Sequence, residues 1–232
     1  MKFKSLAPTL ITALLLAFSP LQSRAEPQPL NGDQTVPNIG LAKKLCKEYV
    51  QSGRYTDEIK KVDAEAKSYI EDYLANHKEL APKEKLAMIL DIDETSLSNA
   101  PHIMLYDYGY LPAEWDKWII SGKAPAIEGT LDLYNFAIGH GLAVFFITGR
   151  RESQRGITVK NLEDQGYQKW TALIMKPEGA EVTAKSFKTY HRKQLAESGY
   201  HIIVNVGDQM SDLEGGFSDS VYKLPNPMYY VP

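Results

Sequence analysis

The chain has 232 residues, 26 Lys and Arg against 29 Asp and Glu, and a single cysteine. That length suits one domain with an appendage. The charge balance excludes a protein that grips nucleic acid through a basic footprint, and the lone Cys46 excludes an intramolecular disulfide framework.

Residues 1–25 read as a secretory signal peptide. Lys2 and Lys4 precede the short apolar run Leu10–Phe18, and Ser23 and Ala25 put small residues at the cleavage point. The run falls short of the about 20 apolar residues of a membrane span, and no cysteine offers a lipid anchor there. The expected location is therefore periplasmic or extracellular. Cleavage removes Lys2, Lys4 and Arg24, which takes Lys and Arg from 26 to 23 against 29 acidic residues, a net charge of −6. Residues 26–37 are polar and hold prolines, as in a flexible leader.

Residues 38–80 carry a helical period. Leu41, Leu45 and Tyr49 recur every four positions, Gly53 interrupts, and Ile59, Val62, Ala66, Tyr69, Ile70 and Tyr73 follow at spacings of three and four. From 81 to 232 short apolar runs alternate with helical segments. The expected strands are Leu86–Leu90, Leu142–Ile147, Ala172–Met175, His201–Val206 and Val221–Leu224. The expected helices are 127–138, 152–165 and 187–198, with Gly139, Gly166 and Gly199 near their C-terminal ends as left-handed caps. Such alternation implies an α/β fold, a parallel sheet covered by helices on both faces, which binds ligands beyond the carboxyl ends of its strands.

Chemistry-bearing residues follow those ends. The first strand runs into Asp91-Ile-Asp93-Glu94-Thr95, the second into Thr148-Gly149-Arg150, and the fourth into Gly207-Asp208 with Asp212 beyond. A basic segment, Lys185-Ser-Phe-Lys188, lies between the third and fourth strands. Clustered carboxylates are costly to desolvate unless protonated, paired or bound to a cation. Mg²⁺ is commonly held by one or two carboxylates plus a substrate phosphate. Asp91 and Asp208 can supply those carboxylates, with the backbone carbonyl of Asp93 as a third oxygen. Lys188 and Thr148 then face phosphoryl oxygens. Asp91 is placed to attack phosphorus, and Asp93 to exchange a proton with the leaving oxygen and then with water. An unperturbed Asp titrates near about 4, so an acid pH preference follows.

DIDET, ITGR and GDQMSD at these positions resemble motifs of the haloacid dehalogenase (HAD) superfamily. LDIDETSLSN, APAIEGTLDLYNFAIGHG, TGRRESQR and KLPNPMYYVP resemble its subfamily IIIB. That group holds secreted acid phosphatases of bacterial classes B and C, and plant vegetative storage proteins. The resemblance spans about residues 40–232. It implies a HAD-like Rossmannoid sheet with a small helical lid, built from the N-terminal helices and an insert at about 98–125. It also implies Asp91 as nucleophile, Asp93 as acid/base, and Thr148, Gly149 and a lysine as phosphate ligands. Asp91, the Asp93 backbone and Asp208 would hold Mg²⁺, with Asp212 behind them. Phe187-Lys188-Thr189 followed by Arg192-Lys193 matches the family's spacing better than Lys185-Ser186, so Lys188 is preferred and Lys185 is the alternative.

The insert is rich in aromatics: Tyr106, Tyr108, Tyr110, Trp115 and Trp118. Most of these are expected to pack the lid; a minority could stack a nucleobase, which makes 5′-nucleotides plausible among small phosphomonoester substrates. Lone histidines such as His102 read as structural, and Arg155 reads as a surface partner of Glu152, three residues away. A weakly active storage or binding protein, or a phosphotransferase, remains the alternative function.

Overall fold

The computed structural model describes residues 38–78 and 84–231; the signal peptide and leader assigned to 1–37 lie outside the described residues. In chain order the elements are α1 (Ile39–Gln51), α2 (Arg54–Asn76), β1 (Lys85–Leu90), α3 (Ala100–Leu105), α4 (Pro112–Ser121), α5 (Glu128–Gly139), β2 (Ala143–Arg151), α6 (Arg155–Asp164), β3 (Ala172–Lys176), α7 (Ala184–Glu197), β4 (Tyr200–Gly207), α8 (Met210–Leu213) and β5 (Ser220–Lys223).

The five strands form one parallel sheet in the order β3-β2-β1-β4-β5. β1 is central because its residues are apolar on both sides of the pleat. Leu86, Met88 and Leu90 join the core on one face, and Ala87 and Ile89 join the smaller core on the other. Phe187 of α7 packs into the smaller core. On the opposite face α5 contributes Leu133, Tyr134 and Ala137, and α2 contributes Ile59, Ala66 and Ile70. So α2, assigned to the lid from its sequence position, also covers the sheet and lies against α5.

Three details differ from the sequence expectation. β2 runs on to Arg151, because after a register shift beyond Thr148 the chain pairs again with Lys176. α7 starts at Ala184 rather than 187, since the Thr183 hydroxyl accepts the Ser186 N–H at 3.1 Å and caps the first turn. Gly166 and Gly199 do adopt left-handed backbone at φ +98° and +87°, but Gly139 does not; it closes α5, and Gly141 takes φ +80° instead.

The insert after β1 is pinched at its base. Leu97 bridges Ala126, and the Ser98 N–H donates to Pro125 O at 2.8 Å. α3 and α4 stand above this pinch. α1 reaches the insert through Lys43, whose Nζ lies 2.7 Å from Asp107 Oδ2.

Candidate active site

The sheet reverses its winding between β1 and β4, and that switch point brings Asp91 and Asp208 together. Asp212 joins them because Gly207 has no side chain: a Cβ there would sit 2.4 Å from Asp212 Cβ. Carboxylate oxygens of Asp91, Asp208 and Asp212, all buried, lie within 4.8 Å of one another. Lys188 projects from α7 into the group. Its ammonium contacts Asp91 Oδ1 and lies 2.6 Å from Asp212 Oδ1, with all three side chains at most 8% exposed. Lys185 points elsewhere and pairs with Glu214 at the surface, 2.5 Å away. Asp212, expected behind the metal ligands, holds the Lys188 ammonium and also brings a carboxylate oxygen within 4.8 Å of Asp91 and Asp208.

Burial pushes the Asp91 carboxyl well above its ordinary range; Lys188 opposes the shift, while Asp212, Asp208 and Asp93 add to it. Burial likewise raises Asp208 to about 6, with Asp212 adding and hydrogen bonds from Asn226 and Gln209 opposing. Burial works against the Lys188 ammonium, yet Asp212 and Asp91 outweigh it and hold the group above its usual value. One ammonium among three buried carboxylates leaves negative charge in excess. The donor set is all oxygen, which fits a hard divalent cation rather than a thiolate or imidazole metal. No other cluster of His, Cys, Asp and Glu with this geometry occurs among the described residues.

Asp93 faces a different neighbourhood. Arg150, whose side chain is 3% exposed, donates Nη2–H to Asp93 Oδ1 at 2.7 Å and Nε–H to Oδ1 and Oδ2 at 3.0 and 3.2 Å. The Asn99 amide donates to Oδ1 at 2.9 Å. Burial would raise Asp93, but Arg150 and then Asn99 outweigh it and hold the carboxyl below its ordinary range. Thr148 is fully buried and its Oγ1 accepts the Arg150 N–H at 3.1 Å. Gly149, not Thr148, forms part of the cavity wall, and a Cβ on it would meet open space.

Sequence reasoning gave no role to several residues that hold this site. Thr95 Oγ1 donates to Asp208 Oδ1 at 3.1 Å. Asn226 and Gln209 donate to Asp208 Oδ2 at 2.7 and 2.6 Å. The Tyr229 hydroxyl donates to Glu94 Oε2 at 2.9 Å. The C-terminal segment is fastened by Val231 N–H to Gln209 Oε1 at 3.0 Å, and by the half-buried Cys46 to Pro227 O at 3.2 Å. The sequence signals were Thr95 inside DIDET, Gln209 inside GDQMSD, Arg150 inside ITGR, and Asn226 and Tyr229 inside KLPNPMYYVP, all read as motif without residue roles.

The cluster forms one end of a cavity of about 420 Å³, within the range of small-molecule sites. Tyr108, Tyr110 and Trp115 of the insert, His102 of α3, and Tyr229 and Tyr230 of the C-terminal segment line the rest. Three of the five insert aromatics thus line the cavity, while Tyr108, Trp115 and Trp118 also pack against the larger core. Arg155 pairs with Glu152, as expected, with Nη2 2.8 Å from Oε2.

Residues 7–232 match the family described as HAD superfamily, subfamily IIIB (Acid phosphatase). The chain belongs to this family. It is 39% identical over 190 residues to acid phosphatase 1 of Solanum lycopersicum, covering 80% of this chain and 72% of that one. It is 35% identical over 195 residues to vegetative storage protein 1 of Arabidopsis thaliana, covering 74% and 72%. The class C acid phosphatase of Bacillus anthracis shares the fold, with a TM-score of 0.69 at 24% identity over 83% of this chain and 86% of that one. As a subfamily IIIB protein the chain is a phosphomonoesterase with a HAD-like α/β fold. Among the described residues no helix is long and apolar enough to cross a membrane.

Proposed function

We propose that the chain is a Mg²⁺-dependent acid phosphatase that works through an aspartyl-phosphate on Asp91. The observation that supports this most is the Asp91–Lys188–Asp212 array buried beside Asp208 at the end of an open cavity. Asp91, Asp208 and the Asp93 backbone would hold Mg²⁺, which supplies the positive charge that lets a carboxylate approach an anionic phosphate. Lys188 and the Thr148–Gly149 turn bind phosphoryl oxygens, and Asp212 keeps the ammonium in place. Asp91 forms a bond to phosphorus as the bond to the ester oxygen breaks, and Asp93 gives that oxygen its proton. Asp93 then takes a proton from water, the hydroxide attacks phosphorus, and Asp91 leaves with release of phosphate.

Arg150 favours the ionised form of Asp93, so proton donation needs either an acidic medium or the negative charge of a bound phosphate beside it. An acidic optimum follows. The aromatic wall offers π-faces to a nucleobase, which favours 5′-nucleotides among the substrates. Residues 1–25 serve as the export signal, in keeping with a relative named stem 28 kDa glycoprotein, from Glycine max, at 34% identity.

The test is hydrolysis of glycerol 2-phosphate, whose alkoxide leaves with a proton, by the mature protein across about pH 4–8, with Mg²⁺ and with EDTA, beside Asp91→Asn. Metal-dependent turnover that peaks on the acid side and vanishes in the variant is expected. A folded wild type inert with every divalent metal would favour a storage role. Turnover surviving Asp91→Asn would mean another nucleophile.

A further inference from the structure

Asp93 is held from two sides. One is Arg150 on β2. The other is Asn99, fully buried just before α3, and its amide is oriented without ambiguity by its neighbours. The Trp118 indole N–H can only donate, and it lies 2.7 Å from Asn99 Oδ1. The Asp93 carboxylate, paired with the Arg150 guanidinium, can only accept, and Asn99 Nδ2 donates to its Oδ1 at 2.9 Å and reaches Glu94 Oε2 at 3.0 Å. A side chain that accepts at one end and donates at the other must be an amide. An Asp at 99 would set a carboxylate oxygen against Asp93 Oδ1 in place of the N–H donor.

The far end of this chain reaches the cavity wall. The Trp118 ring stacks on His102, with centroids 5.4 Å apart and planes at 17°. His102 in turn meets the edge of Trp115 at 5.6 Å, and both His102 and Trp115 line the cavity. Two helices of the insert therefore join at one amide, and that amide holds Asp93.

We propose that Trp118 and Asn99 are positioning residues for Asp93, through which the aromatic wall of the insert fixes the carboxylate where it meets the leaving oxygen. Asn99, Arg150 Nη2 and one Arg150 Nε contact converge on Oδ1, while Oδ2 receives, among the described residues, only the longer Nε contact of 3.2 Å. Oδ2 is thus the oxygen left to exchange a proton with substrate. Without the indole donor the amide loses its partner on the oxygen side among the described residues, and its hold on Asp93 loosens against that of Arg150. The inference rests on Asp93 being the proton donor.

The experiment is Trp118→Phe, which keeps an aromatic ring against His102 but removes the indole N–H together with three ring atoms. Steady-state constants are measured on p-nitrophenyl phosphate, whose phenolate leaves without a proton, and on glycerol 2-phosphate, whose alkoxide needs one. The expected result is a roughly tenfold lower kcat on glycerol 2-phosphate, less than about threefold change on p-nitrophenyl phosphate, and unchanged KM for both, since one poorly placed hydrogen bond is worth about 1.4 kcal/mol. Trp118→His, which keeps a ring N–H, should recover most of the loss. Equal losses on both substrates, or no loss on either, overturn the proposal. Asp93→Asn on the same pair separates the two readings. If it shows no preference for the leaving group, Asp93 is not the donor and the mechanism fails. If Asp93→Asn discriminates while Trp118→Phe does not, only the positioning role fails.

Discussion

Replacing Arg150 with Met removes the guanidinium from a pair that is nearly dry on one side: the Arg150 side chain is 3% exposed and that of Asp93 20%. Breaking a fully buried pair from one partner costs about 3–5 kcal/mol, whereas an exposed pair is worth about 0–1 kcal/mol. Three N–H contacts of 2.7 to 3.2 Å and the burial place this pair near the former, at about 3 kcal/mol. For a domain of this size that lowers Tm by roughly 6–12 °C. Because the pair holds Asp93 below its ordinary value, its stabilisation is fully present above the unfolded carboxyl value of about 4 and fades as pH falls through the folded one. Urea unfolding of wild type, Arg150→Met, Asp93→Asn and the double variant measures the coupling directly. A coupling of about 2 kcal/mol at neutral pH that shrinks below about pH 4 is expected. A coupling under about 0.5 kcal/mol, or one that grows on acidification, would refute the electrostatic account of Asp93.

Three further changes probe the surroundings. Asn226→Ala removes a donor to Asp208 and should weaken Mg²⁺ binding about tenfold in calorimetric titration, with little effect on Tm. Gly207→Ala drives a Cβ against Asp212, so it should cost about 1–3 kcal/mol in a thermal melt and weaken metal binding as well. Away from the site, burial in the α2–α5 contact pushes Asp63 up to about 7, with only the Thr130 hydroxyl opposing at 3.2 Å. Its folded value is raised, so wild-type stability relative to Asp63→Asn should fall between about pH 4 and pH 7, by up to about 4 kcal/mol, and level off above; a flat difference would reject it.

What could be read from sequence follows how local each signal is. An apolar run ending in Asp91-Ile-Asp93 announces a strand and the groups at its tip, because alternation and charge sit in adjacent residues. The parallel sheet followed in the same way from five such runs. Arg150 was visible as a letter in ITGR, but its partner Asp93 lies 57 residues away, and no spacing rule connects them. Asn226 and Tyr229 were harder still. They sit in an irregular tail, and only the pairing of β5 with β4 carries that tail back over Asp208 and Glu94. The error at Gly139 has a smaller cause: glycines stand at both 139 and 141, and the period of α5 cannot say which one takes the left-handed turn.

Two carboxylates two residues apart carry opposite shifts, Asp91 up and Asp93 down, and the sense is the reverse of what a nucleophile and a proton donor need. The reversal follows from what each one faces. Asp91 looks onto Asp208 and Asp212 with a single shared ammonium, so a divalent cation among those three favours its anion. Asp93 looks onto Arg150, so a phosphate dianion arriving beside it opposes the guanidinium and favours its proton. Cation and substrate thus act on the two groups in the directions catalysis requires, and each acts on the residue that its own charge reaches. Metal binding should therefore release protons from the cluster before substrate arrives, and phosphate binding should take one up. Potentiometric titration of the folded protein with Mg²⁺ and then with inorganic phosphate reads both. Proton release on phosphate binding would show that Arg150, and not the substrate, governs the charge of Asp93 throughout the reaction.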